Sequence, residues 1–268
     1  MQGILSRRRF VQIGSGVAVV GLAGGYAAAD SHDDDDEEME EEEEEEMDDE
    51  EEEDMEDDGA DEGGDALVSV AHLSPDAPDV DVYVDGDLVI EGLPFGQVTG
   101  YLELPADSYQ IEVTATGDPE TSVFDEEVDV PEGEFTIAAI GELEGENQEF
   151  EVVVLEDDNS DPAEGEARVR AFHASPDAPN VDITVAATGD ALFEDVPFGE
   201  GGYVDVPEGE YRLCIYAAGD RDDAVLGVPV ELEAGTVYSA WAIGYVADDP
   251  AFDVALTVDN IEPGQARM

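Results

Sequence analysis

The feature that most constrains this chain is an internal repeat. Ala71-His72-Leu73-Ser74-Pro75-Asp76-Ala77-Pro78-Asp79-Val80-Asp81 returns 101 positions later as Phe172-His173-Ala174-Ser175-Pro176-Asp177-Ala178-Pro179-Asn180-Val181-Asp182. Later landmarks return in the same order. Pro94-Phe95-Gly96 matches Pro197-Phe198-Gly199, Tyr101 matches Tyr203, Pro105 matches Pro207, Tyr109 matches Tyr211, and Gly141 matches Gly244. The offset drifts from 101 to 103, as small loop insertions would cause. The chain is therefore two copies of one folding unit, each of about 90 residues, an ordinary domain size.

Within a copy the polarity has period two. Val80, Val82 and Val84 alternate with Asp81, Tyr83 and Asp85; Tyr109, Ile111 and Val113 alternate with Gln110, Glu112 and Thr114. Such alternation marks strands with one face in and one face out. Asp85-Gly86, Gly117-Asp118-Pro119, Pro131-Glu132-Gly133 and Pro207-Glu208-Gly209 punctuate them as turns. No stretch after residue 66 keeps a helical period. The expected fold is all-β: two tandem immunoglobulin-like β-sandwich domains, residues 66–156 and 167–258. Residues 157–166, rich in Asp, Glu, Pro and Gly, read as a linker, and 259–268 as a C-terminal tail.

The charge is extreme and uneven. The 268 residues hold 74 acids, eight Arg and no Lys, a net of −66. Residues 1–29 carry three Arg and no acid, residues 30–65 carry 27 acids and no base, and the rest carries a net of −42. This excludes a duplex-binding surface, which needs bases to replace counterions, and electrostatic docking on anionic lipid. The tract 30–65 has almost nothing to bury and is expected to be a disordered spacer. For the domains, a net of −42 implies self-repulsion in dilute buffer, removed at molar salt, where the Debye length is about 3 Å. An acid-covered, lysine-free chain is similar to proteins adapted to near-saturated salt, as in haloarchaea.

The N-terminus reads as an export address. Arg7, Arg8 and Phe10, within Ser6-Arg7-Arg8-Arg9-Phe10-Val11, resemble a twin-arginine motif. A short glycine-rich apolar run, Ile13 to Ala29, follows and ends in Ala27-Ala28-Ala29, where Ala27 and Ala29 form an A-x-A cleavage site. Seventeen residues with five Gly are short for a membrane span of about 20. The membrane would be a partner only if the signal stayed uncleaved. Cys214 is the single cysteine, so no intramolecular disulfide forms.

The string H-x-S-P-D-A-P-x-V-D near each domain start, followed by a P-F-G turn, resembles the domain of unknown function 4397 family, over roughly residues 66–258. The resemblance implies a secreted or surface β-sandwich, often in tandem. It brings no established activity and no catalytic residues.

His72, Ser74, Asp76 and Asp81, with His173, Ser175, Asp177 and Asp182 in the second copy, invite a Ser-His-Asp reading. The spacing opposes it, because Ser74 is two residues from His72 and precedes a proline. A nucleophile needs its base in reach and an oxyanion hole beside it, whereas Ser and Asp in turns bond their own backbone. A His–Asp hydrogen bond pinning the strand–turn junction is the expected role. A calcium loop is opposed by the second copy, where Asp79 becomes Asn180 and Asp85 becomes Ala186. No metal and no cofactor is expected. Cys214 and Tyr216 should point outward, where copy one has Glu112 and Thr114, and are expected to contact the other domain.

The expectation for function is a non-enzymatic, exported interaction module of the cell surface, with a surface protein or glycan as partner. The alternatives are a hydrolase or accessory subunit acting on surface glycans, which needs two facing carboxylates, and a calcium-dependent adhesin.

Overall fold

The computed structural model describes residues 65–260. The export signal (Arg7, Arg8, Phe10; Ala27, Ala29), the acidic tract up to residue 64 and the last eight residues lie outside the described residues.

The repeat folds into two all-β copies, with eight strands in each. Copy one contains β1 (Asp65–His72), β2 (Val80–Val84), β3 (Asp87–Leu93), β4 (Leu102–Pro105), β5 (Ser108–Ala115), β6 (Asp118–Asp129), β7 (Gly133–Ile140) and β8 (Glu151–Glu156). Copy two contains β9 (Glu166–His173), β10 (Val181–Val185), β11 (Ala191–Val196), β12 (Gly201–Pro207), β13 (Gly209–Ala217), β14 (Leu226–Leu232), β15 (Val237–Ile243) and β16 (Asp253–Val258). Asp85 and Gly86, at φ 49° and 87°, form the two-residue β2–β3 hairpin. Positive φ at both positions is the backbone twist that tight hairpins prefer. The recurring Pro and Tyr also find a cause. Tyr109 donates its hydroxyl to the Pro105 carbonyl, and Tyr211 does the same to Pro207, pinning the β4–β5 and β12–β13 corners.

Each copy is a sandwich of two four-stranded sheets. In copy one they run β4-β1-β7-β8 and β3-β2-β5-β6; in copy two, β12-β9-β15-β16 and β11-β10-β13-β14. One pair per copy is parallel, β1 with β7 and β9 with β15. Domain 1 closes around Val68, Val82, Ile111, Val113 and Ile137. Domain 2 closes around Val169, Val181, Ile183, Leu213, Ile215 and Tyr238.

The two domains share a third core. The sheets holding β1/β7 and β9/β15 face each other, so these inner sheets are buried on both sides. Ala71, Leu73, Ala138 and Ile140 of domain 1 gather with Phe172, Ala174, Trp241 and Ile243 of domain 2. Repeat-equivalent positions have diverged here. Where domain 1 has Ala71 and Ala138, domain 2 has Phe172 and Trp241, whose rings pack edge to face at 5.6 Å. Large side chains from one copy thus fill the space left by small ones in the other.

The contact is reciprocal, as across a two-fold axis. A Cβ on Gly96 would lie 3.1 Å from Ile243, and one on its counterpart Gly199 would lie 3.5 Å from Ile140, the counterpart of Ile243. Glu142 and Tyr245, also equivalent in the repeat, hydrogen bond to each other. The P-F-G turns are therefore interface elements: Phe95 and Phe198 both pack on the shared core.

The segment read as a linker is held at its start. Asp157 lies buried between the domains, and the Asp158 N–H donates to the Tyr203 hydroxyl. Trp241 is wholly buried at the interface, whereas Cys214 and Tyr216 lie on the outer sheet of domain 2, away from domain 1. The expectation that they contact domain 1 is thus corrected. Their outward direction follows from the strand period, but the domains meet through the other sheet.

Candidate functional site

The repeated motif is structural in both copies. His72 donates Nε2–H to the Pro78 carbonyl at 3.0 Å, and His173 donates to Pro179 at 3.1 Å. The partner is a backbone carbonyl rather than the expected Asp, so each ring pins the return of its own turn. Burial pushes both imidazoles below their ordinary pKa of 6.5, against the carbonyl bonds that favour the charged form. Both histidines are therefore neutral at pH 7.

Ser74 donates to the Gly141 carbonyl at 2.8 Å, and Ser175 to the Gly244 carbonyl at 2.6 Å. Asp76 accepts the N–H groups of Leu143 and Glu144; Asp177 accepts those of Val246 and Ala247. One turn thus staples the loop that follows β7 or β15, 67 to 70 residues away. Asp81 accepts Gly92 N–H, Thr116 Oγ1–H and Gly117 N–H. Asp182 accepts Asp195 N–H, Gly219 N–H and the Arg221 guanidinium. Burial alone would raise both carboxyl pKa values, but these donors outweigh it and hold them below the usual carboxylate range. Each serine hydroxyl also reaches the carboxylate two residues on, Ser74 to Asp76 at 3.3 Å and Ser175 to Asp177 at 3.5 Å, while the histidine Nε2 of each copy is turned to a backbone carbonyl.

A buried polar cluster at the domain interface was not foreseen. Arg170 stands at the repeat position of Ser69 and is 3% exposed. It donates to Ser239 Oγ and Asp157, and Asp259 lies 3.6 Å away. Asp157 and Asp259 are repeat equivalents that close the two inner sheets. Thr136 donates to Asp157 at 2.7 Å, and its counterpart Ser239 donates to Asp259. The guanidinium also lies 4.6 Å from the Trp241 ring and 5.4 Å from Tyr203. Burial disfavours its charge, but Asp157, with Tyr203 and Asp259, overrides this and raises the pKa, so Arg170 stays charged. The Tyr203 phenol is pushed up to about 12, chiefly by burial. Two carboxyl groups thus converge on a guanidinium inside a closed core, not in a cleft that could admit a sugar. Among the described residues, no group of three or more His, Cys, Asp or Glu side chains is placed to hold a metal ion.

The outer sheet of each domain keeps one solvent face, and that of domain 2 is the outer surface of β10, β13 and β14. Its centre is Arg212, Cys214, Tyr216, Val225, Gly227 and Pro229, with Thr184 buried beneath them at 3% exposure. Strand register pairs Thr184 with Cys214, Cys214 with Gly227, and Arg212 with Pro229. The same sites in domain 1 pair Glu112 with Asp125 and Gln110 with Glu127. The second copy has therefore exchanged three acids for Cys, Gly and Pro, and a Gln for Arg. In domain 1, Gln110 donates to Asp125 at 2.6 Å. In domain 2 the Arg212 guanidinium lies over Gly227, 2.9 Å from where a Cβ would stand. No described carboxylate is within ion-pair distance of Arg212. Val225 is 38% exposed. Sequence comparison between the copies could have found this patch, because the acid count drops at equivalent outward positions.

Comparison with protein families matches residues 66–184 to the domain of unknown function DUF4397. That span covers domain 1 and runs into β10, and the repeat carries the likeness through domain 2. The chain thus holds a DUF4397-like β-sandwich domain repeated in tandem. A comparison with curated proteins finds no match. Similar solved structures include the C-terminal domain of AlgF from P. aeruginosa, 17% identical, covering 35% of this chain and 97% of that one at a TM-score of 0.26. The Bacillus anthracis TIE protein is 11% identical, with 67% and 34% covered and a TM-score of 0.23. A family 26 carbohydrate-binding module of Eubacterium rectale, in complex with maltoheptaose, is 10% identical, with 75% and 98% covered and a TM-score of 0.23.

Proposed function

We propose that the chain is an exported, non-enzymatic interaction module: two immunoglobulin-like sandwiches, adapted to high salt, carried outside the cell on an acidic stalk. The observation that carries this reading is the outer face of domain 2. A chain that places acid almost everywhere has removed it from the middle of one sheet face, where Arg212, Cys214, Gly227 and Pro229 stand in place of a Gln and three acids. An unpaired guanidinium at one end of the face, with half-buried Tyr216 and exposed Val225 at the other, is suited to contact rather than chemistry. The repeated motif, by contrast, is taken up by hydrogen bonds within its own domain, most of them to the backbone.

Export rests on Arg7, Arg8 and Phe10 and the exit at Ala27 and Ala29. The test is fractionation of cells producing the full chain, with intact-mass measurement. The chain should be found outside the cytosol and begin at Asp30, and Arg7→Lys with Arg8→Lys should hold it inside. Retention at the cell surface should fall on Arg212→Glu. A chain found in the cytosol, or one retained equally with either residue at 212, would end this reading.

A further inference from the structure

We infer that the outer face of domain 2 receives a second copy of the same chain, face to face across a two-fold axis. The inference rests on the reading of that face as a contact surface and names its partner. Three observations carry it.

The first is local charge. Two molecules of like charge meet at least cost where acid is sparsest, and the middle of this face has lost the equivalents of Glu112, Asp125 and Glu127, leaving Glu210 and Glu231 at one end and Asp182 and Glu194 at the other. The second is that the face is polar from end to end. Arg212 lies at one end with no described carboxylate on it. At the other end, beside Tyr216, Asp182 and Glu194 share the single guanidinium of Arg221 at 3.1 and 2.7 Å. Glu194 is 69% exposed. A two-fold axis through the Cys214–Gly227 pair exchanges the ends. Arg212 of each copy then meets Tyr216 and Glu194 of the other, satisfying a guanidinium with an aromatic face and a carboxylate. Glu210 and Glu231, paired side by side beyond Arg212, are brought toward Arg221 of the other copy.

The third is shape. The centre of the face is built of small or flat residues, Cys214, Gly227 and Pro229, which let a second sheet approach. The two domains of one chain already associate through sheet faces in reciprocal fashion. A two-fold contact is also the commonest route to an oligomer.

The test uses the full chain in molar KCl. Sedimentation across a range of concentrations should give a monomer–dimer equilibrium, and a short bismaleimide should link Cys214 to Cys214 as dimer forms. Arg212→Glu should weaken the dimer tenfold or more, the scale on which desolvated charge contacts act, with its thermal melt unchanged. Adding Glu194→Arg to that variant should restore the dimer. A monomer at every concentration overturns the inference, as does a dimer indifferent to Arg212→Glu. If the protein is monomeric yet Arg212→Glu still releases it from cells, the partner is another molecule: the contact-face reading stands and the self-association falls.

Discussion

Arg170 shows what one substitution between repeats can do. Its counterpart Ser69 needs no counter-charge, whereas a guanidinium at the same site must be matched between two inner sheets. Asp157 and Asp259 supply the match, one from each domain. Removing the cation leaves the carboxyl groups buried without it, and breaking such a pair costs about 3–5 kcal/mol. Arg170→Met should therefore destabilise by that amount in denaturant titrations at fixed salt. Adding Asp157→Asn and Asp259→Asn should recover most of it, and a triple variant as weak as the single one would contradict this account. The histidines make a second prediction. Each has a folded pKa below its unfolded 6.5, so the unfolded chain binds more protons once the pH falls under that value. Their contribution is intact above pH 6.5 and is lost as the pH drops toward the folded values. The melting temperature should decline between pH 7 and 5, above the range where Asp81 and Asp182 protonate. A flat profile there would exclude buried neutral imidazoles. The sequence marked these residues but not their partners: a backbone carbonyl has no signature in the letters around it.

At the scale of the strand, legibility depended on how many faces are wet. β2, β5, β10 and β13 alternate cleanly because their sheets have one solvent face, and their register follows from the pattern. β1, β7, β9 and β15 do not. Val237 to Ile243 buries six of its seven residues, and Glu166 to His173 buries six of eight, counting both faces. Near-continuous apolar runs of this kind mark strands covered on both sides. That signal was present in Phe135 to Ile140 and Tyr238 to Ile243, and it places the inter-domain contact on the correct sheet. What could not be read is which residue fills which space, since Trp241 against Ala138 is a property of two faces together. Trp241→Ala should cost about 3–5 kcal/mol, the range for an aromatic removed from a packed core. Gly141 and Gly244 test the loops stapled by Ser74 and Ser175. Each has a positive φ, and a Cβ would come within 2.2 and 2.5 Å of a backbone carbonyl oxygen. Gly141→Ala should therefore destabilise by well over 1 kcal/mol, beyond what lost chain entropy could offset. A neutral effect in thermal melts would mean that the loop is free to move.

Among the described residues, four sheets and four hydrophobic clusters, two of them within domain 2, set cohesion against the net charge of −42 that residues 66–268 carry. The terms differ in range. Repulsion among surface carboxylates is long-ranged and screened, with a Debye length near 10 Å at about 0.1 M salt and about 3 Å at 1 M. The Arg170 cluster and the packing of Phe172 and Trp241 are buried, so ionic strength reaches them little. Lowering salt should therefore weaken every exposed sheet face while leaving the central contact intact. Because that contact is a packed apolar core with a buried ion-pair cluster beside it rather than a loose domain seam, neither domain can unfold without exposing it. The expected outcome in calorimetry is a single transition for residues of both domains. It should move down steadily as KCl falls from molar to about 0.1 M, with no second peak emerging. Arg170→Met should lower that transition by a similar amount at each salt concentration, because its pair is unscreened. Two transitions that separate at low salt would mean that the domains are held together only by the linker. A transition that salt does not move would mean that the acidic surface serves something other than the solvent.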